Sequence, residues 1–395
     1  VVQALLYLPD GGSAVLASAA VAGRSLTVRA LVAALRAGAT AIGVPRMLRN
    51  AGVERALRRM PALAAAVKWL DAGSPARGGE GPWLLVPASA LVDRRALAAV
   101  LDAEPGQAGV VLKASAGGGA PVLLAPAGLV ARLWERLARG EPVGADLARH
   151  VAEAAPEPRE SAGIFLEVRE RADLDRADAV LWSGAGSDTD TGVDQFLHRR
   201  CSRHITRALL LTPATPNQVS LASLTVGLAA IWCFWRATPW SAALGVALYA
   251  VASILDHSDG ELARLTFQES RLGAHLDWFI DTIIHAGLVL GMAVTAGGPL
   301  MLLVGLAGAV GVTLSALFSR SLPHEIEIGP TVGGALKHMG NRDLFYLLLL
   351  SFVLLRWLWP PLLVPLALVV ATGSQAYWIG CVARIRARGR ARAAA

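Results

Sequence analysis

One stretch of the chain, LDHSDGELARLTFQESRLGAHLDWFIDT, gathers four aspartates at spacings that bring carboxylates together. Asp256 and Asp259 are three residues apart and Asp277 and Asp281 four apart, so each pair shares one face of a helix. Four carboxylates at the edge of an apolar bundle repel one another and are expensive beside lipid. Oxygen-liganded divalent cations solve both problems. Mg²⁺ typically joins a few carboxylates to substrate phosphates, and two such ions can clamp both sides of an in-line phosphoryl displacement. Gly260 and Gly273 remove side chains next to the aspartates, and Ala263 keeps the same groove narrow. Arg264, one turn beyond Gly260, is placed to hold a diphosphate oxygen through two N–H groups. A purely structural role would need a basic partner for each aspartate, and only Arg264 and Arg271 are local.

Helices must position these residues, and the composition says where. Of the 395 residues 54% are hydrophobic and 17% charged, against roughly 25% charged in a soluble chain; the mean hydropathy is +0.49. Residues 1–190 balance 21 basic against 20 acidic side chains, while residues 191–395 carry 16 against 10. The pattern is a soluble half followed by a membrane-embedded half with basic loops. Six apolar segments serve as spans, at 218–235, 240–255, 276–294, 300–317, 344–359 and 362–382. Each comes near the roughly 20 residues needed to cross the hydrocarbon core. Trp235, Trp240, Trp357 and Trp359 sit at span ends, as interfacial aromatics do. Residues 194–211 read as an interfacial helix, with Phe196, Leu197, Cys201, Ile205 and Leu209 at helical spacing and Arg199, Arg200, Arg203 and Arg207 facing anionic lipid.

The spacing D-x-x-D-G-x-x-A-R-x8-G-x-x-x-D-x-x-x-D, filled by Asp256, Asp259, Gly260, Ala263, Arg264, Gly273, Asp277 and Asp281, matches the signature of the CDP-alcohol phosphatidyltransferase family at every defined position. The resemblance extends over residues 194–395 and includes the six spans, the basic helix and TPNQVS at the first span. It implies Asp256, Asp259 and Asp277 as metal ligands, with Asp281 completing the metal site and acting as general base. Gly260, Ala263, Arg264 and Gly273 would line the CDP pocket, with Asn217 at its edge. The implied cofactor is Mg²⁺ or Mn²⁺, two ions. The implied partners are a CDP-alcohol donor such as CDP-diacylglycerol, an alcohol or polyol-phosphate acceptor, membrane lipid and a second copy in a homodimer. CMP is the leaving group.

In residues 1–190 short apolar runs alternate with amphipathic stretches. Strands are expected at 2–8, 40–44, 83–86, 110–113 and 122–124, and helices at 26–37, 53–59, 94–101, 129–139, 147–155 and 169–180. This predicts a Rossmann-like α/β domain with a mainly parallel sheet, ahead of an all-α, six-helix transmembrane domain at 191–395. Such folds bind ligands at the carboxyl ends of their strands. There PDGGSAVLA lacks a G-x-G-x-x-G and any basic residue to hold a triphosphate, and VPASALVD offers no metal-binding carboxylate at Ala88 or Ser89. The pieces GRSLTVRALVAAL and PWLLVPASALVDRRAL resemble sugar-phosphate nucleotidyltransferases. A second family aspartate falls on Arg169 or Glu167. The reading is a degenerate, catalytically silent nucleotidyltransferase-like domain, joined near residue 190 by the linker SGAGSDTDTG. The whole resembles fused archaeal-type inositol-phosphate cytidylyltransferase/phosphatidyltransferases.

Other features are weighed against blander roles. Arg384, Arg386, Arg388, Arg390 and Arg392 follow the last span and account for much of the pI near 9.9; positive-inside anchoring explains them better than nucleic-acid binding. With a cytoplasmic N-terminal domain, six spans return this tail to the same side, as in a prokaryotic cell membrane. Arg320, Lys337 and Arg342 either bind the phosphate of an acceptor or anchor cytoplasmic loops. His257 and His275 flank the motif and either tune or bind metal or, the preferred reading, are spacers at the interface; His285 reads as hydrogen-bonded within the bundle. Cys201, Cys233 and Cys381 form no metal or disulfide pattern. The chain begins with Val rather than Met, which leaves room for preceding sequence, and VVQALLYLPDGG reads as a strand rather than a signal peptide. Two rival functions stand beside the transferase. In one the N-terminal domain also makes the CDP-activated donor. The other, an ion-coupled transporter, leaves the glycines, Ala263 and Arg264 unexplained.

Overall fold

A computed structural model describes residues 2–71, 81–102, 109–112, 120–160, 163–186, 191–236, 238–320 and 342–394. The chain forms two compact units, Val1–Gly184 and Ala185–Ala395. Lys113, residues 187–190 of the linker SGAGSDTDTG and the whole run between Arg320 and Arg342, with Lys337, lie outside the described residues.

The strands of the first unit are β1 (Val2–Tyr7), β2 (Ala20–Val21), β3 (Arg24–Ser25), β4 (Ala39–Val44), β5 (Val67–Trp69), β6 (Trp83–Pro87), β7 (Ala90–Val92), β8 (Val110–Leu112), β9 (Leu123–Ala125), β10 (Glu157–Arg159) and β11 (Phe165–Glu167). Helices α1 (Ser13–Ser18), α2 (Leu26–Arg36), α3 (Ala51–Arg59), α4 (Pro61–Ala66), α5 (Arg94–Leu101), α6 (Ala127–Arg139), α7 (Gly144–Ala154) and α8 (Arg171–Ser183) alternate with them. Seven strands form one sheet in the order β10-β8-β9-β6-β1-β4-β5. β1 runs parallel to β4 and β6, while β9 is antiparallel to both β6 and β8. Ala4, Leu5, Leu6 and Tyr7 are fully buried on both faces of β1, as expected of a central parallel strand. The helix starts follow local chemistry: Ser25, Asn50 and Asp93 accept backbone N–H groups at the beginnings of α2, α3 and α5. The sequence reading misses β2, β3, β5, β7, β10 and β11, each of two or three residues, because runs that short show no period. The six-residue α1 and α4 escape it for the same reason.

The second unit opens with a π-helical turn at Asp194–His198 that runs into α9 (Arg199–Leu210). Then come α10 (Pro216–Trp235), α11 (Pro239–Thr266), α12 (Arg271–Thr295), α13 (Pro299–Ser319), α14 (Arg342–Leu358) and α15 (Leu363–Ala394). Among the described residues five helices are long and apolar enough to cross a membrane; α14, of 17 residues, buries Tyr346, Leu349 and Phe352 in an apolar core shared with α10, α11 and α12. The chain is therefore an integral membrane protein by the length and composition of these helices. α11 continues well past the apolar run that ends at Leu255. Its 28 residues span about 42 Å at 1.5 Å each, more than the ~30 Å of hydrocarbon, so the last turns carry the polar motif. Phe267, in the left-handed region at φ 61°, stops α11, and Ser270 caps α12 by accepting the Gly273 N–H at 2.9 Å. This tight reversal puts the two aspartate pairs on neighbouring helices.

α9 departs from the expected pattern. The buried positions of the π-helical turn and α9 together are the polar series Asp194, His198, Ser202 and Thr206, with Arg199, while Phe196 and Leu197 of the turn are exposed. Arg199 is thus no outward-facing cation. The i, i+4 row of hydrogen-bonding groups meets α11, because buried polar partners there give it more than the apolar row would.

Close packing of α10 on α11 depends on Gly245. A Cβ added there would lie 2.6 Å from the Phe234 ring and 3.2 Å from the Ala230 carbonyl oxygen, and Phe234 is itself buried against Phe352. Gly245→Ala should therefore destabilise the folded bundle by about 1–3 kcal/mol, read as a lowered unfolding temperature of the protein in detergent.

Candidate active site

The α11–α12 hairpin converts sequence spacing into a cluster. Asp256, Asp259 and Asp277 each bring a carboxylate oxygen to within 4.8 Å of the others. Asp281 lies one turn further along α12 and lines the same cavity, of about 1430 Å³. Gly260, Ala263, Arg264, Gly273 and Asn217 also line it, so the cavity gathers every predicted site residue. Its volume exceeds the usual ~300–1,000 Å³ of a small-molecule site, enough for a nucleotide and a second substrate. Val289, Val312, Leu348, Val369 and Val370 give it an apolar wall.

Each member is held by its neighbours. Ser220 of α10 donates a short hydrogen bond to Asp259. The Arg264 guanidinium folds over Gly260, where an added Cβ would come within 3.2 Å of Nη1, and its Nε donates to the Ala185 carbonyl at 3.0 Å. A Cβ at Gly273 would lie 3.4 Å from Asn217 Oδ1, so both glycines keep narrow places open. Beneath Asp281, His285 Nδ1 donates to the Asp281 carbonyl at 2.6 Å, and its Nε2 faces the Tyr249 hydroxyl at 3.0 Å. His285 is hydrogen-bonded inside the bundle, as expected.

The base that pairs with these aspartates comes from far along the chain. Arg342 Nη2 lies 3.2 Å from Asp256 and 3.5 Å from Asp281. Counting local arginines misses it, since it belongs to the start of α14. One guanidinium among four carboxylates leaves a surplus of negative charge. The three gathered donors are all carboxylate oxygens, the set that Mg²⁺ and Mn²⁺ prefer, so the residues present suit a hard divalent cation. Arg320 also lines the cavity, stacks on Trp278 and donates to the Ala274 carbonyl.

Two further groups carry no signal in the motif alone. Glu261, 1% exposed, accepts hydrogen bonds from Arg199 (3.0 Å), Ser202 (2.8 Å) and Thr206 (2.7 Å). It fastens α9 to the helix that carries Asp256 and Asp259. Asp194 meets His198 Nδ1 at 2.8 Å, His257 Nε2 at 3.2 Å and Arg342 Nη1 at 3.4 Å. Burial pushes its carboxyl up, but the hydrogen bonds with His198 and His257 and the Arg342 charge prevail and hold it well below the usual range. His257 is therefore buried in a polar network rather than an interfacial spacer, whereas His275 is exposed. The row Asp194, His198, Ser202, Thr206 at strict four-residue spacing was the available signal for the whole α9 face.

Residues 213–376, within the membrane unit, match the family model of CDP-alcohol phosphatidyltransferases. Among curated proteins the chain is similar to the bifunctional IPC transferase and DIPP synthase of Archaeoglobus fulgidus, 28% identical over 209 residues that make up 49% of this chain and 40% of that protein. The like-named protein of Rubrobacter xylanophilus is 37% identical over 141 residues, 35% of this chain and 32% of its own length. That of Thermococcus kodakarensis is 31% identical over 141 residues, again 35% and 32%. The chain spans less than half the length of these relatives.

Glu261→Ala would leave buried Arg199 without its carboxylate. Loss of one partner of a buried pair costs about 3–5 kcal/mol, so the variant should unfold at markedly lower temperature in detergent, with new protease cleavage near α9.

Proposed function

We propose that the chain is an integral-membrane transferase that moves a substituted phosphate group from a CDP-alcohol to a hydroxyl acceptor and releases CMP. The observation that carries the reading is the convergence of all eight motif residues on one cavity, with three carboxylate oxygens within 4.8 Å of one another. We assign Asp256, Asp259 and Asp277 as ligands for Mg²⁺ or Mn²⁺, two ions, with Asp281 completing the set. When bound, the metal supplies positive charge to the transferring phosphoryl oxygens.

The protein's own groups do the rest. Asp281 takes the proton of the acceptor hydroxyl, and the freed oxygen attacks the β-phosphorus of the CDP-alcohol. The bond from that phosphorus to the bridging oxygen breaks, and CMP leaves with the electron pair. Arg264, Gly260, Ala263, Gly273 and Asn217 hold the nucleotide end, with glycine and alanine admitting the diphosphate closely. Arg320 and Arg342 supply positive charge for a phosphorylated acceptor. The apolar wall suits a donor with a lipid tail, such as CDP-diacylglycerol. The resemblance to fused inositol-phosphate cytidylyltransferase/phosphatidyltransferases supports a polyol-phosphate acceptor such as an inositol phosphate. In this reading the protein is a homodimer in a prokaryotic cell membrane, with the N-terminal unit and the Arg-rich tail in the cytoplasm.

For residues 1–190 we propose a degenerate nucleotidyltransferase-like domain. At the carboxyl ends of its strands, the Asp10 carboxylate accepts the N–H groups of Gly12 and Ser13 in its own turn. Glu167 accepts the Ala120 N–H and pairs with Arg169 at 2.7 Å. Carboxylates so engaged are poor candidates for a nucleotide-bound metal.

Membranes containing the protein, given Mg²⁺, CDP-diacylglycerol and a panel of inositol and glycerol phosphates, should release CMP. Asp281→Asn should lower turnover about 100-fold or more, the usual contribution of a general base. Unchanged turnover in that variant overturns the assignment, and solute flux without CMP would favour a transporter. The full chain incubated with CTP and inositol phosphate should release no pyrophosphate; pyrophosphate release would make the protein bifunctional.

A further inference from the structure

Asp194 lies upstream of the segment that matches the family model, yet its carboxylate reaches the edge of the catalytic cluster. Its side chain is 5% exposed and serves as a common acceptor. Oδ1 faces His198 from its own turn, His257 from α11 and Arg342 from α14, and Oδ2 accepts the N–H and the hydroxyl of Thr191, both at 2.9 Å. The start of α14 is tied to the same segment twice more. Asp343 accepts the N–H groups of Gly192 and Val193 at 3.0 and 2.9 Å, and the Tyr346 hydroxyl meets His198 Nε2 at 2.8 Å.

Arg342 is the part that matters chemically. A guanidinium is planar and rigid, so fixing one terminal nitrogen fixes the direction of the other. Nη1 is turned to Asp194, and Nη2 stands 3.2 Å from Asp256 and 3.5 Å from Asp281. We propose that Asp194 is a positioning residue: it holds Arg342 by one nitrogen at the mouth of the reacting carboxylates and keeps the guanidinium oriented for the phosphate of the acceptor. This rests on the transferase reading given above. Nη1 also lies 3.2 and 3.4 Å from the His257 ring nitrogens, but among the described residues the carboxylates left to Arg342 without Asp194 are Asp256 and Asp281 of the reaction centre, and the guanidinium shifts towards them.

The donor atoms of Asp194, His198 and His257 lie within 4.8 Å of one another, which also fits a small metal site. The Arg342 guanidinium approaches the same Asp194 oxygen at 3.4 Å, and a metal there would stand beside a fixed positive charge. The geometry favours a hydrogen-bonded anchor.

The test compares the full-length wild type with Asp194→Asn, Arg342→Lys, the double variant, Thr191→Val and Thr206→Val. The assay uses CDP-diacylglycerol and whichever of inositol phosphate or glycerol phosphate the wild type consumes. Asp194→Asn should raise the acceptor KM about 10- to 100-fold and leave the donor KM within about twofold. Adding it to Arg342→Lys should cost nothing further, because the two act in series. Thr191→Val, which loosens Asp194 without removing its charge, should shift the acceptor KM in the same direction by about two- to threefold, and remains informative if Asp194→Asn does not fold. Thr206→Val, which weakens α9 packing elsewhere, should leave both KM values unchanged. An unshifted acceptor KM in Asp194→Asn and Thr191→Val, or losses that add in the double variant, overturns the positioning role while CMP release by the wild type upholds the transferase. Absence of CMP release by the wild type overturns both. Stoichiometric zinc in the purified wild type, lost in Asp194→Asn, overturns the anchor in favour of a metal site.

Discussion

Concentrated negative charge is the constraint around which the membrane unit is built. Asp256, Asp259, Asp277 and Asp281 come from two adjacent helices and line one cavity, while the surrounding helices are apolar enough to span a bilayer. Carboxylates so placed need positive charge, hydrogen-bond donors or water. Arg342 answers two of them directly, Ser220 a third, and the all-oxygen donor set leaves room for divalent cations. Replacing any aspartate by an apolar residue would relieve repulsion and lose the reason for the cavity. The arrangement trades stability for a cavity lined with carboxylate oxygens.

Two devices keep that arrangement rigid. Small residues let the helices approach closely, as at Gly245, where Phe234 occupies the place of a side chain. Polar clamps fix what packing alone would leave free to slide: Glu261 gathers Arg199, Ser202 and Thr206, and Asp194 gathers His198, His257 and Arg342. Such fully satisfied buried networks are costly to break and set one register. The helix preceding the first span therefore supports the helices that carry the acidic cluster, in addition to any contact it makes with lipid through Arg200, Arg203 and Arg207.

The first unit follows a different logic. Its sheet is a well-packed core around β1 and α6, with Tyr7 buried and hydrogen-bonded to the Pro121 carbonyl at 2.7 Å. At the described strand ends stand the small residues Ala88 and Ser89, with Asp10 and Glu167 bound to the protein's own N–H and guanidinium groups. The core and the strand ends are held by separate residues, so the layered packing does not depend on the groups at the strand ends.

Much of this was legible in the amino-acid order. Apolar run lengths located the spanning helices, since crossing hydrocarbon demands a minimum number of uncharged residues. The three- and four-residue spacings within Asp256–Asp281 determined the faces the carboxylates share, since helical periodicity is local. Alternating runs in residues 1–190 marked the α/β class, though strands of two or three residues left no trace. Partners distant in sequence were decided only by tertiary structure. Arg342 reaches Asp256 and Asp281 from another helix, Glu261 pairs with Arg199, and His257 turns inward to Asp194 rather than to the interface. Buried ion pairs form where packing removes water and leaves no other partner, and that depends on which helices become neighbours. Local spacing dictates which side chains share a face; the fold alone dictates what that face meets.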